Sequence, residues 1–94
     1  MDPAGLPALL QTIRHVHGVD ATWMDSVPVS ETFEGRVLWE GHVQVFAVQH
    51  PRAKRVYAWS EPDGDRGRRR VHAVLGAGPV EDARTAVRVE TLGG

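Results

Sequence analysis

The chain has 94 residues, of which 41% are hydrophobic and 24% charged, with no cysteine and a formal net charge of −1. That length supports one domain with one core, and the near-neutral charge points to neither nucleic acid nor a membrane as an obligatory partner. The lack of cysteine excludes disulfides, thiolate metal centres and cysteine nucleophiles.

Ten of the eleven basic residues are arginine and only Lys54 is lysine, a bias that GC-rich coding produces without a functional cause. Secreted domains of this size usually carry disulfides. Residues 1–7 show neither a basic segment nor a long apolar run, and no apolar stretch approaches the roughly 20 residues of a membrane span. A cytoplasmic protein is expected.

In chain order, Asp2-Pro3 offers an N-cap followed by proline at the first helical position. Leu6, Leu9, Leu10, Ile13 and Val16 then recur at helical spacing, and Gly18 suits a left-handed C-terminal cap. A helix over residues 3–17 follows. From Ala21 to Phe33 the pattern turns extended and irregular, as one strand or two, with Pro28 confining part of it to an edge or bulge. Glu34-Gly35 is the expected hairpin turn.

Residues 36–49 carry the most information. Val37, Trp39, Gly41, Val43, Val45 and Ala47 share one face, while Arg36, Leu38, Glu40, His42, Gln44, Phe46 and Val48 share the other. Gly41 is the natural place for a bulge or bend. After a turn at His50-Pro51, residues 54–61 form the next strand, and residues 62–67 form a loop. Residues 68–75 form another strand. Pro79 opens a second helix whose apolar face is Val80, Ala83, Ala86 and Val87.

The expected architecture is a single domain over residues 1–94, an α+β two-layer sandwich. A three- or four-stranded antiparallel meander carries the N- and C-terminal helices on one face. Val37, Trp39, Val43, Val45, Val71, Ala73 and Leu75 are then expected to be buried against Leu6, Leu9, Leu10, Ile13, Val80 and Val87.

The element order is similar to that of double-stranded-RNA-binding domains. That family's lysine-rich start of the last helix is absent, and Glu81-Asp82 stands there instead. A closer resemblance lies in the motifs Val27-Pro28-Val29, Glu31-Thr32-Phe33, Trp39-Glu40-Gly41, His50-Pro51 and Tyr57-Ala58-Trp59-Ser60. Together they resemble a pattern in small uncharacterised bacterial proteins of about this length. The resemblance implies a bacterial cytosolic origin and no particular activity.

Candidate sites are few. His15 and His17 are two apart on a helix and point about 200° apart, unlike the four-residue spacing of zinc helices. Glu40, His42 and His72 would form a metal-ligand set only if their strands were neighbours; exposed polar side chains on a wet sheet face are the simpler account, so no metal and no cofactor is assigned. Ser26, Ser30 and Ser60 lack a nucleophile elbow. Gly76-Ala77-Gly78 lacks the lysine of a phosphate loop and reads as a helix cap. No catalytic residue is assigned.

Arg55, Tyr57 and Trp59 alternate on one strand, with Arg69 and Arg70 on the next. If the helices leave one sheet face open, this becomes an aromatic and basic binding face. Its simplest use is self-association as a homodimer by a non-enzymatic interaction module. Alternatives are an RNA-binding module that stacks bases on the same residues, or a small ligand-binding protein or enzyme with a pocket of Trp39, His42, Tyr57 and His72.

Overall fold

The computed structural model describes residues 5–62, 69–78 and 80–93. Helix α1 (Leu6–His17) precedes strands β1 (Ala21–Phe33), β2 (Arg36–His50), β3 (Ala53–Pro62) and β4 (Arg69–Leu75). Helix α2 (Ala83–Arg88) follows and runs into a π-helical turn, Val89–Gly93. The strands form one antiparallel sheet in sequence order, so the α+β class and the meander are as expected. Ala21–Phe33 is a single strand. The Asp2-Pro3 cap, the loop over residues 63–67 and Pro79 lie outside the described residues.

Local chemistry sets the element ends. Gly18 takes the left-handed conformation at φ 71° and donates its N–H to the Arg14 carbonyl, closing α1. Glu34 and Gly35 both have positive φ, 51° and 78°, the geometry of a tight hairpin turn that matches strand twist. Helix α2 starts at Ala83 rather than Pro79. Asp82 stands outside it as the N-cap and accepts from the Thr85 N–H at 2.8 Å.

Irregularities fall at Trp23/Asp25, Glu31/Thr32 and Ala47/His50, and not at Gly41. Gly41 instead makes room for a ring, since a Cβ there would lie 3.1 Å from Trp39.

The layering departs from expectation. Leu9 and Ile13 of α1 pack with Phe46, Val48, Val56 and Ala58, and Val71, Ala73 and Leu75 join them at the margin. Val80, Ala83, Ala86 and Val87 pack with Val29, Trp39, Val43, Val45, Tyr57 and Trp59. Because β-strand side chains alternate between faces, these clusters lie on opposite sides of the sheet. The protein therefore has three layers, with one helix on each face rather than two on one.

The physical cause is β3 and the second half of β2. Val56 and Ala58 alternate with Tyr57 and Trp59, and Val43 and Val45 alternate with Phe46 and Val48, so both faces are apolar and both require cover. Val37, expected in the core, is exposed. Leu10 is half-buried and Val16 is exposed.

Two consequences are measurable by denaturant titration. Ile13, fully buried, should cost about 2–5 kcal/mol on truncation to alanine, and the half-buried Leu10 distinctly less. Glu34→Asn should stabilise the hairpin by up to about 1 kcal/mol, because asparagine tolerates positive φ better than glutamate. An unchanged or lower midpoint would show that the turn imposes no strain.

Candidate functional site

The residues singled out in the sequence do not assemble into one site. Tyr57 and Trp59 are 4% and 1% exposed, covered by α2 and its flanks. Tyr57 donates its hydroxyl to the Glu81 carbonyl at 2.9 Å. The expected open aromatic platform is therefore absent, because the second helix lies over it. Arg55 stays exposed at one end of β3. Arg70 pairs in register with Glu61 at the other end, about 20 Å away at ~3.3 Å per residue. Arg69 faces the α1 side and donates to the Ser60 hydroxyl and carbonyl at 3.1 and 3.0 Å.

The pocket expected from Trp39, His42, Tyr57 and His72 also divides. Trp39 meets Trp59 edge-on at 5.8 Å, and Trp59 stacks on His72 at 5.0 Å. His42 and Glu40 project from the opposite face of β2 and are exposed, so Glu40, His42 and His72 do not form a ligand set. Among the described residues no group of three histidine or acidic side chains is placed to hold a metal.

His72 is held between two carboxylates. Its Nε2 lies 2.7 Å from Glu61 Oε1 and its Nδ1 lies 3.4 Å from Glu90 Oε2. A histidine beside a carboxylate is a familiar base arrangement. Here both ring nitrogens face a carboxylate and one ring face is against Trp59, which leaves little of the ring open to a substrate. The contacts instead fasten the turn after α2 to β4. Trp59 Nε1 is buried with no hydrogen-bond partner among the described residues, a cost offset by the packing of its ring.

A second polar cluster was not visible in the sequence. Glu31 is only 3% exposed. It accepts from Arg88 Nε at 2.9 Å and Arg84 Nε at 3.4 Å, tying α2 to the β1–β2 hairpin. The Arg88 hydrogen bond holds the Glu31 carboxyl below its usual range. Desolvation pushes the other way, and the charges of both arginines assist the lowering. Asp82 is also held low, chiefly by the Thr85 hydrogen bond. Arg84 and Arg88 at i, i+4 on one helix face were a legible signal, but their acid stands more than 50 residues away in the chain.

The surface retains one apolar feature. β2 pairs with β3 only from Gln44 to His50, so β1 and the first half of β2 continue as a two-stranded arm. Near its tip Phe33, Val37 and Leu38 are 54%, 58% and 43% exposed, and Trp23 and Met24 lie farther along β1. Comparison with family models, curated proteins and solved structures returned no match.

The lowered Glu31 carboxyl carries a pH signature. A group with a depressed folded pKa contributes stability above its unfolded value, and that contribution is lost as pH falls through the folded one. Glu31→Gln should therefore lower the melting temperature at pH 7, and the gap to the native protein should narrow below about pH 4. An equal gap at both pH values would show that the ion cluster is not its source.

Proposed function

We propose that the protein is a non-enzymatic cytoplasmic interaction module that self-associates through the β1–β2 arm. The observation that carries this is the group of exposed apolar side chains near the arm's tip: Phe33, Val37 and Leu38, three of the seven large ones among the described residues. A two-stranded ribbon is marginal in water without cover on an apolar face, and a two-fold partner supplies the same surface back to itself. The enclosure of His72 between two carboxylates and an indole supports a binding role over catalysis, and the cysteine-free sequence supports a reducing compartment.

The contact is made by side chains rather than by edge pairing. Pro28 stands opposite His42 without a shift in the ladder. Its nitrogen has no hydrogen to give, so the free edge of β1 is blunted near its middle. The register puts Phe33 and Val37 on opposite faces of the ribbon, so the contact wraps the tip, and burying the half-exposed Phe33, Val37 and Leu38 there on both copies yields on the order of 5–10 kcal/mol. Association costs of about 4–15 kcal/mol oppose it, so the expected dimer is weak, with a dissociation constant of about micromolar or higher.

Light scattering across a concentration series is the test. The mass should rise toward that of a dimer, and Phe33→Glu with Val37→Glu should hold the protein monomeric without lowering its melting temperature. Trp59→Glu should unfold it instead, since Trp59 is internal. A native protein that stays monomeric at every concentration would refute the proposal.

A further inference from the structure

At the opposite end of the sheet from the arm, the β2–β3 turn and the segment after β4 enclose an open groove of about 640 Å³, lined among others by Arg52, Lys54, Arg55, Tyr57 and Glu81. We infer that this groove is a binding site for a small polyanion of the phosphate or polycarboxylate class.

Charge is the first argument. Elsewhere in the fold Arg14 pairs with Asp20, Arg84 and Arg88 with Glu31, and Arg69 with Ser60. Arg52 and Arg55 line the groove without an ionic partner among the described residues, in a chain whose formal net charge is −1; Lys54 alternates with Arg55 and turns to the α1 side, where it lines a separate hollow with Asp20. His50 also lines the groove, and Glu81 is the one acidic side chain there. Clustered, uncompensated cations in a concave surface raise the local concentration of anions and supply charge-assisted donors.

Shape is the second. The floor is the buried ring of Tyr57, fixed by its hydroxyl on the Glu81 carbonyl. The far wall is backbone: Gly76 donates its N–H to the Arg55 carbonyl at 2.8 Å. A Cβ on Gly76 would lie 3.0 Å from the Tyr57 ring and 3.2 Å from that carbonyl oxygen. The wall can approach the floor this closely only without a side chain, and Gly78, at φ +63° with open space beside it, turns the wall away from the mouth.

Past Arg55 and Tyr57 the groove meets a hollow of about 300 Å³ lined by Met24, Val27 and Val45 and by the acidic Asp25 and Asp82. The combination suits a compact ligand with its anionic head at Arg52 and Arg55, on the side of the groove away from the acidic hollow. The volume is in the usual range for small-molecule sites.

Calorimetric titration of the full chain with pyrophosphate, ATP, citrate and a single-stranded oligonucleotide is the test. Saturable one-to-one binding of at least one of the three small anions is expected, and which of them binds separates phosphate from carboxylate recognition. Arg55→Gln and Arg52→Gln should each weaken it about tenfold. Arg36→Gln, which alters an exposed arginine at the hairpin tip, should leave it unchanged. Both groove residues are exposed, so the variants should keep the native circular dichroism spectrum. Three results would overturn the inference: no saturable binding of any small anion, an equal loss in Arg36→Gln, or oligonucleotide binding that is tighter and strengthens with length.

Discussion

The rest of the structure depends on a central pair of strands that is apolar on both faces. Where β2 and β3 pair, from Gln44 to Ala47 against Ala58 to Arg55, side chains on either side of the sheet leave water. Val56 and Ala58 go to one side, Tyr57 and Trp59 to the other. Once that pair exists, each face must be covered, and the chain has one helix at each end with which to do it. A two-layer arrangement would leave an indole and a phenol ring in solvent. The three-layer arrangement removes that cost by placing α1 and α2 on opposite sides.

The two helices achieve this by different means. α1 presents a leucine and isoleucine stripe and needs little else. α2 has six residues, too few to be stable alone. Its small apolar residues are therefore supplemented by polar attachments at several points: Asp82 caps its start, Arg84 and Arg88 reach Glu31 on β1, and Glu90 beyond its end reaches His72 on β4. The buried glutamate depends on both arginines, since an unpaired carboxylate at that depth would carry an uncompensated desolvation cost. What resembles a chemical site at His72 is thus part of the attachment of a short helix.

The covered sheet leaves two features unspent. At one end the β1–β2 arm outruns the remaining strands and keeps apolar tips in solvent. At the other, Arg52 and Arg55 line a groove beside the β2–β3 turn without forming an ion pair among the described residues. They lie at opposite ends of the sheet, so an interface and a ligand groove do not compete for the same surface.

Much of the architecture was legible in the sequence because it rests on local rules. The stripe Leu6, Leu9, Leu10 and Ile13 gives a helix, Gly18 ends it, Glu34-Gly35 turns a hairpin, and alternation gives the strands. Although the expected architecture left one face of the sheet open, the apolar residues of both faces were legible in Val43–Val48 and Val56–Trp59. Which face each helix takes was not. That choice is made by the path of the chain at its two ends and by contacts such as Glu31 with Arg88, 57 residues apart.

The candidate site divides along the same line. Sequence alternation correctly placed Arg55, Tyr57 and Trp59 on one side of β3, because that depends only on strand geometry. Whether that side meets water was decided by α2, a tertiary event that buried the two aromatics and left the arginine at a groove. Exposure belongs to the whole assembly of layers, whereas periodicity belongs to each strand.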